Sequence, residues 1–313
     1  MERKDHDKVK KLFTNIIPYF GLILVIAIFG IWSKGKLFQS RQFIPIFNSC
    51  FNTLLAASGL IFVMSQGLMD LSIAGVVTIS GILGAYAASI NPYLMFPVAV
   101  LTGLLIGFIN GLISSKLHIG GFMVTLAMGF ILEGLAVLIL YSSGIGIPLN
   151  MMTWSTNSLR AYSLIAVFVI AFFVFEYTKV GRILKATGSN PTAAYYAGLK
   201  PDNMIILGYS VTGIISGLIA FFTVLRGGAA TNAMGGTISF DAMIALLIGG
   251  FPVSGGTNCK AKSALIGSLT ITILVYGMTL CRINTVILQF VKGILFLLVV
   301  TLTFDRKNSP VIK

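Results

Sequence analysis

The chain has 313 residues, 56% of them apolar and only 10% charged, with a mean hydropathy of +0.95. That leaves too little polar surface to coat a water-soluble globule, so the sequence describes an integral membrane protein. The net charge of +13 would suit nucleic acid, but the basic residues lie in short tracts beside apolar runs, where they orient a membrane protein; nucleic acid is set aside as a partner.

Runs able to cross about 30 Å of hydrocarbon at 1.5 Å per residue number ten: 16–32, 44–64, 70–90, 93–114, 121–140, 161–177, 204–225, 239–256, 263–281 and 284–304. The fold class is therefore all-α, a bundle of about ten transmembrane helices forming a single permeation domain. A basic tail (1–15) precedes the first run, which has a signal-sequence outline but no small-x-small cleavage site, so it is expected to stay as a span. Gln66, Gly67 and Asp70 interrupt the second and third runs, and glycine is frequent in the eighth. An even count puts both termini (1–15 and 305–313) on one side. With that side cytoplasmic, the basic residues divide fifteen inside to six outside, the six being Lys34, Lys36, Arg41, Arg160, Arg226 and Arg282.

Polar groups within the runs need a reason to be there. Asp70 and Asp241 each stand near the opening of a run, where a carboxylate caps a helix or serves a gate. They head DLSIA (70–74) and DAMIA (241–245), five spans apart and so expected on opposite faces. An inverted-topology repeat would produce that echo, and so would chance in an Ile- and Ala-rich chain. Glu133 lies mid-span, where it is expected to face the bundle interior or be protonated. Lys292 is expected to snorkel to the interface. Asn48 and Asn52, four apart on one helix face, join Gln66 and Asn110 as amides that could meet a hydroxylated solute or hold helices together. Gly103, Gly107 and Gly111, spaced by four, let helix backbones approach closely.

Between the sixth and seventh runs lies a polar island, 178–203, with four positive charges, an Asn190-Pro191 helix start and a Gly198 stop followed by Pro201. It is expected to be a water-facing docking segment on the cytoplasmic side. No phosphate-binding loop, nucleophile–histidine pairing or metal-spaced His/Cys cluster occurs. The three cysteines, 50, 259 and 281, show no disulfide spacing. The expectation is no enzyme, no cofactor and no metal.

Four segments carry a resemblance: GLMDLSIAGVVTISG (67–81), KATGSNPTAAYYAGLKPDN (185–203), FDAMIALLIGGFPVSGG (240–256) and FVKGILFLLVVTL (290–302). From about residue 44 to 304 the chain resembles the permease subunits of bacterial ABC importers of the ribose/monosaccharide type. The resemblance implies a plasma (inner) membrane protein that pairs with a second permease chain, as a homodimer or with a similar chain. It also implies two ATP-binding ABC subunits on the cytoplasmic side, an extracytoplasmic solute-binding protein, and surrounding membrane lipid. By the same resemblance the island is the coupling element that sits in a groove of the ATPase, carried by Ala186, Gly188, Asn190, Ala193, Ala194 and Gly198. Asn48, Asn52, Asp70, Ser72 and Asp241 are the candidates for the substrate pathway or gate. The chain departs from the family's pattern by one residue inserted before Asp70 and by Phe251-Pro252, where small or polar residues are usual. The implied function is import of a monosaccharide or similar hydroxylated solute, with a nucleoside or other small solute, or an ion-coupled secondary carrier, as alternatives.

Overall fold

The computed structural model describes residues 18–141 and 144–303; the expected tails 1–15 and 305–313 lie outside them. The described chain is almost entirely helical. In order come α1 (Pro18–Trp32), α2 (Ser40–Met64), α3 (Ile73–Ile90), α4 (Met95–Lys116), α5 (Gly121–Leu140), α6 (Leu149–Met152), α7 (Asn157–Tyr177), α8 (Lys179–Ser189), α9 (Pro191–Tyr196), α10 (Pro201–Gly227), α11 (Ile238–Ile248), α12 (Lys262–Leu280) and α13 (Thr285–Thr303). A two-residue antiparallel ladder, β1 (Ile145–Gly146) on β2 (Ala229–Ala230), ties the connection after α5 to the one after α10.

Among the described residues seven helices are long and apolar enough to cross a membrane: α2, α3, α4 with its leading turn, α5, α7, α10 and α12. The other three expected spans are shorter apolar helices, Pro18–Trp32, Ile238–Ile248 and Thr285–Leu298. The eighth run corrects most sharply. Expected over 239–256, its helix stops at Ile248, because Gly250 adopts φ 85 and Pro252 follows. At 1.5 Å per residue α11 spans about 16 Å, half a bilayer core. The third run likewise starts its helix at Ile73, leaving residues 65–72 as an irregular lead-in.

Burial separates an inner from an outer set. In α2 and α3, 67% of the apolar window is buried and in α10 and α12 61%, against 22% in α7. The most extensive seam joins α4 and α10. A Cβ on Gly103, Gly107 or Gly111 would strike the backbone of Gly213, Tyr209 or Ile206, and one on Gly213 or Gly217 would strike α4 in return. The every-fourth-residue glycine pattern thus sets backbone against backbone, the arrangement in which dispersion contacts hold helices together in lipid.

Candidate coupling segment and permeation path

The island forms two helices where the sequence signalled one. Thr178 ends α7 by donating its hydroxyl to the Val174 carbonyl at 2.6 Å, and α8 turns back with Gly181, Leu184 and Thr187 buried. Glu176, in the last turn of α7, holds the turn from both sides. One carboxylate oxygen takes the Lys185 ammonium at 2.6 Å; the other accepts the Ala261 backbone N–H at 2.6 Å from the loop before α12. Lys185 also lies 4.5 Å from the Phe175 ring centroid. Ser189 accepts the Thr257 N–H at 3.1 Å, and Gly256 N–H donates to the Ser65 carbonyl at 2.8 Å. The far end of α8 therefore sits in a notch between the end of α2 and the 249–261 loop. Gly188 fills the notch: a Cβ there would overlap the Ser65 carbonyl oxygen.

The second helix, α9, starts as its sequence predicts. Asn190 Oδ1 accepts the Ala193 N–H at 2.9 Å, Pro191 takes the first position, and Gly198 at φ +81 ends it. Among the candidate coupling residues, Asn190, Ala193 and Gly198 are exposed, Ala186 and Gly188 half-buried and Ala194 buried. Tyr195 and Tyr196, which the sequence argument passed over, project from α9 at 67% and 83% exposure. Burial pushes the Cys259 thiol beneath this segment up to about 12, the neighbouring Lys185 opposing only in part.

Inside the bundle, Asp70 is buried at 4% exposure and bound to its own lead-in: the Ser72 N–H and hydroxyl donate to Oδ1 at 2.9 and 2.6 Å. Asn110 of α4 donates to the Ser72 hydroxyl at 2.9 Å, and Tyr209 of α10 donates to the Met69 carbonyl at 3.0 Å. Thr125 of α5 accepts the Leu71 N–H at 3.2 Å. Three helices thus fix the lead-in. The starts of α3 and α11, expected on opposite faces, instead meet. Ser239 donates to the Leu71 carbonyl at 3.0 Å and accepts the Ala74 N–H at 2.9 Å. The segment 228–237 runs back along α3, with Gly235 N–H on the Thr78 hydroxyl at 3.1 Å.

Asp241 sits in the first turn of α11, accepting the Thr237 hydroxyl at 2.8 Å and pairing with Lys292 of α13 at 2.6 Å. The expectation that Lys292 snorkels is corrected: its ammonium is held by a carboxylate instead. The pair borders a cleft of about 240 Å³ lined also by Phe240, Gln289 and Phe296. Asn48 lies in the first half of α2 and Asn52 at its middle, and neither shares a hydrogen bond with Asp70 or Asp241 among the described residues. Asn48 accepts from Arg160, whose guanidinium stacks 4.3 Å from the Phe51 ring centroid; Asn52 Oδ1 is buried with no hydrogen bond among the described residues. Arg160, counted with an outer loop, is a 3% exposed residue of α7. Gln66 bonds the Phe62 and Met204 carbonyls at 3.0 Å each, tying α2 to α10. Glu133 does not pack inward and has no partner among the described residues; it is exposed on α5 beside a second cleft.

A short half-helix with an irregular lead-in, and an amphipathic helical hairpin between long apolar helices, describe a transport-type membrane bundle. Over residues 43–300 the chain matches the family described as branched-chain amino acid transport system / permease component, and the chain belongs to that family. It is a multi-pass membrane permease component, not an enzyme. Relatives include the ribose import permease protein of Escherichia coli K12, 25% identical over 92% of both chains. That of Bacillus subtilis strain 168 is 28% identical over 93% of this chain and 92% of its own. The D-allose transport system permease protein of Escherichia coli K12 is 26% identical, covering 93% and 91%. No solved structure matches the chain.

Proposed function

We propose that this chain is the membrane-spanning subunit of an ATP-driven importer of a monosaccharide or similar hydroxylated small solute. The names of the relatives, which speak of ribose, D-allose and autoinducer 2, support the solute class. The observation that carries the ATP-driven part is the α8–α9 hairpin: a rigidly seated helix presenting a capped, water-facing helix with two exposed tyrosines. Aromatic side chains that stand out from a fixed base are the usual anchors of a protein–protein contact.

In this reading residues 178–203 are the cytoplasmic coupling segment of a single permease domain. Asn190, Ala193 and Gly198 face the ATP-binding subunit, while Ala186, Gly188 and Ala194 form the seat. ATP-driven closure of the partner subunits moves α9. The Glu176–Lys185–Ala261 clamp passes that displacement to α7 and to the loop joining α11 and α12, and the bundle tilts between its two open states. Asp241, Asn48 and Asn52 belong to the path or its gates, and Asp70 and Ser72 form the closed clasp that holds the gate's lead-in. All ten apolar helices span, α11 completing one crossing together with 228–237. With Arg160 moved out of the loops the basic residues divide fifteen to five, favouring cytoplasmic termini in the inner membrane. A second permease chain, most simply a copy, completes the pathway, and an extracytoplasmic solute-binding protein delivers the cargo.

The test replaces the exposed tyrosines, because Gly188→Arg would wreck the notch before it reached a partner. Tyr195→Asp/Tyr196→Asp is expected to lower co-purification of the partner ATPase and ATP-driven uptake roughly tenfold or more, with the thermal stability of the solubilised chain unchanged. Full retention of both activities would sink the coupling reading. Uptake by the chain alone under an ion gradient would move it to the secondary carriers.

A further inference from the structure

The second cleft, bounded by α3, α5 and the 231–236 segment, holds about 330 Å³ and is lined by Ala74, Thr78, Glu133, Val137, Asn232 and Ala233 with Gly236. Glu133 lies past the middle of α5, with apolar residues before and after it. A carboxylate at that depth is expensive against hydrocarbon. Among the described residues no hydrogen bond or ion pair reaches either Glu133 on α5 or Asn232 on the 231–236 segment, so each wall of the cleft carries a free polar group. A mid-span carboxylate left without a partner, opening onto a cleft beside a free amide, requires water or a polar ligand there.

The cleft is also built rather than accidental. The 231–236 wall is fastened to α3: Gly235 donates to Thr78, and a Cβ on Gly235 would overlap the Ala74 carbonyl. The opposite wall is fixed where Gly75 of α3 lies against Leu132 of α5, one residue before Glu133. The volume falls at the lower end of the roughly 300–1,000 Å³ typical of small-molecule sites.

We infer that this cleft is a hydrated subsite for a neutral polyhydroxylated solute, with Glu133 and Asn232 as its recognising groups. A carboxylate accepts two hydroxyl donors at once, as adjacent hydroxyls of a sugar present them, and an amide both donates and accepts. Val137, Ala74 and Ala233 supply the apolar floor on which the C–H face of a ring rests. The free negative charge rejects anionic analogues such as sugar phosphates. The assignment rests on the importer reading for its solute class, yet the cleft's hydration and its response to Glu133 stand independently of any ATPase.

Cysteine labelling tests it. Cys50 and Cys259 are buried, so a Cys281→Ser background carrying Ala233→Cys places one reactive thiol on the cleft wall of the full chain. In reconstituted vesicles a membrane-impermeant maleimide is expected to label it. Millimolar D-ribose should slow labelling several-fold, whereas leucine and ribose 5-phosphate should not. Glu133→Gln, isosteric and on an exposed position, should abolish the protection and leave the unprotected rate and thermal stability unchanged; Asn232→Ala should weaken protection. No labelling, as when lipid or a second copy of the chain seals the face, overturns the subsite. So does labelling that ribose never slows, or protection that survives Glu133→Gln. Protection without any ATP-driven uptake would keep the subsite and remove the importer reading instead.

Discussion

The starts of α3 and α11 carry the same five-residue pattern and put its aspartate to different uses. Asp70 stands three residues before the first residue of α3, Ile73, so its side chain folds back onto Ser72 and is sealed beneath α4, α5 and α10. Asp241 stands three residues after the first residue of α11, Ile238, so it projects from the helix, reaches Lys292 on α13 and remains open to a cleft. A six-position shift of helix register about one motif turns a carboxylate from a clasp within its own segment into one half of a separable ion pair. The two starts meet at Ser239, so each carboxylate stands near the positive dipole end of its own helix. The lesson is that the motif locates a carboxylate near a helix start, while the register decides whether it is structural or able to change partners.

Removing the clasp should have the largest effect. Asp70→Ala leaves a buried amide and a buried hydroxyl without their acceptor and is expected to cost about 2–3 kcal/mol or more, read as a large drop in thermal stability in detergent. Asp70→Asn keeps a carbonyl oxygen in place and should lose less. Equal losses would show that the charge, rather than the acceptor, is what the lead-in needs.

The ion pair comes next, and its effect should be on coupling. In a double-mutant cycle of Asp241→Asn and Lys292→Met, an interaction energy of about 1–3 kcal/mol is expected. The exchanged pair Asp241→Lys/Lys292→Asp should recover part of the loss. The side chains are 18% and 11% exposed, so the pair is shielded enough to resist salt screening. A coupling near zero would reduce it to a chance contact and erase the contrast with Asp70.

Ser239→Ala probes the junction itself. It removes one hydroxyl that serves the Leu71 carbonyl and the Ala74 N–H, for an expected loss of about 1–2 kcal/mol. Its effect should add to that of Lys292→Met and fall short of additivity with Asp70→Ala, because only the latter shares the lead-in. Full additivity with both would mean that the two starts are energetically separate.

Much of this was legible in the sequence, and the failures share a physical cause. Apolar runs located the helices because lipid demands internally satisfied backbones, and the glycine spacing on α4 announced a close seam because only a backbone fits there. Asn190, Pro191 and Gly198 marked α9 because caps and stops are local chemistry. The length of α11 was misjudged, since an apolar lead-in and an apolar half-helix share one hydropathy signal. α8 was missed because its apolar stripe is interleaved with charges, and because its seat against Ser65 and Gly256 joins positions far apart in the chain. The same limit hid the Asp241–Lys292 pair and buried Arg160, whose partners sit on other helices. Glu133 was noticed as odd, yet only the folded arrangement brings Asn232 to the same cleft.

The smallest expected effect calibrates the comparison. Asn190 is a helix cap, as a simple reading would make Asp70, but it sits in water at the start of an exposed six-residue helix. When Asn190→Ala removes its acceptor, solvent can serve the Ala193 N–H, and the cost should be about 0.5–1 kcal/mol, confined to α9. Hydrogen exchange at Ala193 and Ala194 should then quicken a few-fold while the melting temperature of the whole chain stays put. For Asp70 no solvent can enter, so the same chemical deletion should reach the entire bundle. A global loss from Asn190→Ala equal to that from Asp70→Ala would mean that burial is not what separates the two, and the contrast between clasp and cap would have to be drawn from the 178–203 segment's own contribution to the fold.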